Sequence, residues 1–185
     1  MLEAALVAIV VLSCPLSTSL GLTLDSQQAE NTKYPTRESV VKALRDADYV
    51  LRRFEEVTGE INFGRWNAPY SIVEEHQKVL ADYRSLAKGT RSQTPLMEAD
   101  HQLPGAVMVT VYIDLWNIKE YTYRLMWMTE KYRGDSDFLA KLPPLYDLAT
   151  EAISGFNSVL IQQLAAEYND LRACRGHVGG TPKRP

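Results

Sequence analysis

Apolar residues recur along most of this chain at spacings of three and four, and that periodicity restricts its fold more than any other feature. Val40, Leu44, Ala47, Leu51 and Phe54 share one face of a helix that the pattern starts near Thr36 and stops near Gly59. A second helix is expected from Ser71, where Ser71 and Glu74 have capping-box spacing, to Gly89. Its inward stripe is Ile72, His76, Val79, Tyr83 and Leu86. Residues 90 to 104, with Pro95 and Pro104, read as a long connection with room for one short helical turn after Pro95.

Beyond it, Val107, Val109, Val111 and Ile113 alternate like a strand. Helical spacing nevertheless persists through Val107, Val111, Asp114, Ile118, Tyr121, Leu125, Met128 and Tyr132, a length that favours a third helix. Gly134 breaks it, Asp135 or Ser136 caps a short turn, and Pro143-Pro144 opens a fourth helix that ends near Gly176. Leu145, Ala149, Ala152, Phe156, Val159 and Leu164 face inward there. Four helices with one apolar stripe each are most simply buried as an all-α, antiparallel four-helix bundle over residues 36–175, followed by a disordered tail, 176–185.

A chain of 185 residues that is 45% hydrophobic has enough apolar surface for one core. With 20 Lys plus Arg against 23 Asp plus Glu, the net charge of −3 provides no positive field for nucleic acid, and no nucleic-acid partner is expected. Two cysteines, Cys14 and Cys174, cannot build a disulfide framework or a four-thiolate site.

No charged residue lies between Ala4 and Leu24, and residues 4–12 are continuously apolar. That is the length of a signal-peptide core and short for a membrane span of about 20 residues. The positive charge that normally precedes such a core is missing from Met1-Leu2-Glu3. Val11-Leu12-Ser13-Cys14 has the form of a lipobox, which would make Cys14 a lipidation site and the N-terminus a membrane tether, although Pro15 follows directly. Residues 1–24 are therefore read as a signal peptide or lipoprotein anchor and 25–35 as a polar spacer, which places the protein in the periplasm or cell envelope.

Two inward stripes each carry an ionisable residue, His76 and Asp114. If helices two and three meet near residues 88 and 105, both lie about 14–18 Å from the joint. Asp48 or Arg52 and Gln162 or Gln163 come to similar heights. Such a layer is either a structural hydrogen-bonded pair or a mid-bundle metal or haem site. Glu98-x-x-His101 has di-iron spacing but occurs once, in the connection, and Cys174-x-x-His177 lacks the second cysteine of a covalent haem site. Asp135 and Asp137 lack the glycine and glutamate of a calcium loop. Phosphate-binding, nucleophile-elbow and zinc-protease motifs are absent from the sequence. No catalytic residue, and no cofactor, is assigned.

The remaining signal is aromatic. Trp116, Glu120, Tyr123 and Trp127 form a second stripe on helix three, which is either an interface or a second packing surface of a central helix. Arg65-Trp66 and Lys183-Arg184 are contact points or ordinary loop and tail residues. The sequence favours an exported, envelope-associated binding or assembly module with an unknown protein partner and no catalysis of its own. A metal- or haem-binding protein using His76 and Asp114 is the alternative.

Overall fold

The computed structural model describes residues 33–99 and 103–178. The stretch read as an export segment with Cys14, most of the expected spacer, His101 and residues 179–185 lie outside that range. Four helices follow in order: α1 (Arg37–Gly59), α2 (Tyr70–Ala99), α3 (Gly105–Lys131) and α4 (Ser136–Val178), with a short 3-10 turn at Phe63–Arg65 between α1 and α2. Contacts at matching heights run in opposite directions along each neighbouring pair. Thr58 meets Arg84 while Asp48 meets Arg91; Tyr123 meets Tyr146 while Gly105 meets Glu167. The architecture is an all-α, up-down-up-down bundle, as the periodicity predicts.

The expected faces of α1 and α3 are the buried ones: Val40, Leu44, Ala47, Leu51 and Phe54 on α1, and Val111, Asp114, Ile118, Tyr121, Leu125 and Met128 on α3. Thr36 caps α1 by accepting the Ser39 amide on its side chain. The C-terminal end of α1 is held from outside, because the Arg84 guanidinium of α2 donates to the Thr58 carbonyl and hydroxyl. A cation at that position also complements the negative end of the helix dipole.

Helix α2 departs from expectation at both ends. It begins at Tyr70, with the Pro69 carbonyl accepting from Ile72 and Val73, so Ser71 lies inside the first turn and is not the cap. It then runs through Gly89 and Pro95 to Ala99, taking up ten residues of the expected connection. Tertiary contacts override the local breakers here. Arg91 bridges to Asp48 and Glu55 of α1, and Thr94 and Met97 are buried. Only Leu103 and Pro104 of the described residues remain between α2 and α3.

Helix α4 likewise starts seven residues earlier than the proline pair, and Pro143 and Pro144 sit exposed within it. Asp135 is its cap, its side chain accepting from the Asp137 and Phe138 amides, and these bonds, followed by Arg65, hold its carboxyl below the usual range. Buried Phe138, Leu142 and Leu145 bracket the prolines and keep the helix in line. Leu164 is exposed, not inward; the stripe continues instead through Gln163 and Ala166. The helix extends to Val178, into the expected tail.

At one end of the bundle, the Glu167 carboxylate accepts the Gly105 amide at 2.7 Å, and Gln163 donates to both Leu103 O and Glu167. This supplies the N-terminus of α3 with the acceptor that Pro104 lacks. A side chain at Gly105 would strike Leu164 and Glu167. At the other end, α3 closes with the Gly134 amide bonded to Thr129 O and the Arg133 amide bonded to Glu130 O, the paired bonds of a Schellman motif. Arg133 occupies the left-handed position at φ 50°, while Gly134 is needed for space, since a Cβ there would lie 2.8 Å from Trp66 Nε1 and 2.9 Å from Thr129 Cγ2. Arg133→Gly is therefore expected to stabilise the protein by about 1 kcal/mol by removing left-handed strain. Gly134→Ala should destabilise it. Urea midpoints of the two variants, read by far-UV circular dichroism, test both directions.

Candidate functional site

His76 and Asp114 do not share a layer. Asp114 accepts a 2.5 Å hydrogen bond from Thr90, fourteen residues and about 21 Å along α2 from His76. Because α2 continues past Gly89, the joint with α3 lies beyond Ala99, and heights counted from residue 88 are displaced by three turns. Asp48 belongs to the Arg52 and Arg91 bridges, and Gln163 to the Glu167 lock. Glu98 lies on α2, and Cys174 is exposed with a free thiol. Among the described residues no group of three or more His, Cys, Asp and Glu side chains could hold a metal ion.

His76 lies instead at the loop end, 2% exposed. Its ring centroid is 6.0 Å from Trp66, which also packs edge-on to Phe63 at 4.9 Å and stacks on Tyr132 at 6.2 Å. Trp66 is thus a core residue brought in by the α1–α2 connection. The Asn67 amide to Tyr132 carbonyl bond and the Arg65–Asp135 ion pair fasten that connection from outside. Burial holds the His76 imidazole below its usual range; Arg124 adds to this and Glu75 opposes it.

The second stripe of α3 has a different setting. Ile113, Trp116, Glu120, Tyr123 and Trp127, at steps of three and four, are all exposed. At 100° per residue they lie about half a turn from the core stripe centred on Ile118. Helix α3 is therefore not sandwiched: Trp116, Tyr123 and Trp127 remain 37%, 58% and 52% exposed. Tyr146 of α4 edges the patch, 6.1 Å from Tyr123.

Two lysines complete the face. Lys119 Nζ lies 4.4 Å from the Trp116 ring and 5.0 Å from Tyr146, and Lys131 Nζ lies 4.5 Å from Trp127 and 5.2 Å from Tyr132. Both cations rest on aromatic rings, whereas Lys42 and Lys141 are paired with Asp46 and Glu60. Sequence reasoning passed over them, although their i+3 and i+4 offsets from Trp116 and Trp127 carry the signal. A groove of about 270 Å³ between α1 and α4 is less suited to binding, because its Lys42 is already neutralised by Asp46.

No protein-family model matches this chain, and no curated protein or solved structure does either. The site is accordingly judged on its chemistry: half-exposed Trp and Tyr rings and two ammonium groups, with an exposed carboxylate, Glu120, between them. Trp127→Ala should cost less than about 1 kcal/mol, the worth of an exposed cation–π pair. Trp66→Ala should cost about 3–5 kcal/mol, as for a large core residue. Thermal or urea unfolding of the two variants separates the surface tryptophan from the core one.

Proposed function

We propose that this protein is an exported, envelope-associated helical binding or assembly module without catalytic activity of its own, engaging a protein partner through the α3 aromatic face. The observation that carries the reading is the exposed Trp116, Tyr123 and Trp127 stripe on the side of α3 away from the core. Half-exposed rings of this size leave roughly 300 Å² of contiguous aromatic surface, within the range at which patches on single chains are often functional. It falls short of the roughly 800 Å² per partner of a standard interface, so this face suits an anchor for one partner segment better than a stable dimer contact. A 3-4-3-4 stripe some 21 Å long matches the seam along which one more amphipathic helix packs.

Export is supported by the apolar run of residues 4–12 and the Cys14 lipobox-like sequence. Among the described residues no helix is long and apolar enough to cross a membrane, so any tether falls to the N-terminal segment.

A photo-crosslinking amino acid at Tyr123 of the full chain, expressed in a bacterial host that carries the gene natively, tests the reading. A discrete envelope-protein adduct is expected. It should be absent when the crosslinker is moved to Lys88 on α2, and reduced about tenfold or more by Trp127→Ala, the loss typical of a tryptophan anchor. No adduct, or equal adducts at both positions, refutes docking on α3. Intact mass of the mature protein decides export separately, with a lipid-modified N-terminus at Cys14 or cleavage near residues 17–21 expected.

A further inference from the structure

We propose that Trp66 is a latch on the loop end of the bundle, released when His76 takes up a proton, and that its release resets the α3 face through Tyr132 and Lys131. The geometry of the loop end carries this. His76 Nδ1 is buried without a hydrogen-bond partner, and so is Thr129 Oγ1; the two flank Trp66, whose indole edge shares with the Thr129 methyl the space left by Gly134. A protonated imidazole must donate from both nitrogens. At Nδ1 there is no acceptor to receive it, so the charged ring is accommodated only by leaving its place beneath Trp66.

The groups around the ring work in the same direction. From α3, the Arg124 guanidinium opposes a second positive charge, and the Tyr121 hydroxyl is directed at the His76 carbonyl, not at the ring. From α2 itself, Glu75 is the one favourable charge, and it already faces Arg124 at 3.5 Å with both side chains half exposed. From the α1–α2 connection comes the uncharged indole of Trp66. Moving outward toward Glu75 is the route open to the imidazolium.

The sign follows from proton linkage. The folded state holds His76 less basic than the unfolded chain does, so the unfolded or unlatched state binds more protons. The latch is fully engaged above the ordinary histidine value of about 6.5 and loosens as pH falls below it. Its effect reaches the α3 face through a short chain of contacts. Trp66 stacks on Tyr132, Lys131 spans Tyr132 and Trp127, and Trp127 is the end of the exposed stripe. The regulatory consequence rests on the docking reading above; the latch does not.

Fluorine NMR of the full chain carrying 5-fluorotryptophan reports all three indoles without any partner present. Between pH 8 and 5 the Trp66 resonance is expected to shift or broaden with a midpoint below about 6.5, with Trp127 moving at the same midpoint and Trp116 much less. In His76→Gln, Trp66 and Trp127 should lose this response. A Trp66 resonance that stays fixed while the protein is folded, or that titrates identically in His76→Gln, overturns the latch. A moving Trp66 with a fixed Trp127 overturns its coupling to the face. Should His76→Gln fail to fold, the imidazole resonances of the wild-type chain decide, since a His76 midpoint at or above 6.5 is incompatible with release by protonation. Failure of crosslinking at Tyr123 with an intact pH response would remove the docking reading and leave the latch.

Discussion

The face of α1 from Val40 to Val57 is the surface on which the other three helices meet, and the remaining structure depends on its burial. Helices α2 and α4 pack along its two sides, and α3 reaches it across the bundle through Tyr121, whose ring lies 6.2 Å from Phe54. Val50, Leu51 and Phe54 are fully buried. Most of a helix's stability in a protein comes from packing its apolar face, so the stripe brings the other elements together and their local preferences yield to it. Polar contacts then select the register. Arg84 on Thr58 and Arg91 on Asp48 and Glu55 fix α2 against α1, while Glu167 and Gln163 fix α4 against the start of α3.

That division of labour explains what could be read from the chain before its structure. Apolar spacing is a property of each helix alone, and the buried faces of α1 and α3 follow from it residue by residue. Helix ends are different, because Gly89, Pro95 and Pro143-Pro144 are local signals for stopping that are worth a few kcal/mol at most. Burial of Thr94, Met97, Phe138 and Leu142, with the Arg91 bridges, outweighs them. The cost of that misreading is not confined to boundaries. Heights in a bundle are counted from the joints, so moving the α2–α3 joint by ten residues leaves His76 about four turns from the level of Asp114 and dissolves the polar layer that equal counting predicted.

Trp116, Glu120, Tyr123 and Trp127 share one face of α3 because that placement depends on periodicity within one helix and on no joint. What the sequence left open was its direction, since a second stripe marks either a second neighbour or solvent. Lys119 and Lys131 tilt that choice, because a cation resting on a ring face keeps an indole soluble without burying it. Trp66 is the opposite case. It lies in a connection with no periodicity, and its burial requires three parts of the chain to converge: Phe63 of the same connection, His76 of α2, and the end of α3 with Tyr132 and the gap at Gly134. No single-sequence pattern encodes a convergence of that kind.

Gly134 and Arg133 show how the two ends of α3 differ in consequence. The left-handed turn would suit glycine at 133, yet the glycine stands one residue later, where Trp66 needs the space. The chain thus retains strain at Arg133 and places its smallest residue where the indole docks, which gives the packing of Trp66 precedence over the ideal helix end. Unpartnered polar atoms at His76 and Thr129 add to the cost of the same corner. The opposite end, where Glu167 and Gln163 satisfy the start of α3, has no such concentration of strain and unmet polarity among the described residues. Strain and unmet polarity are thus gathered at the Trp66 end, and through Tyr132 and Lys131 that end adjoins the exposed tryptophan face.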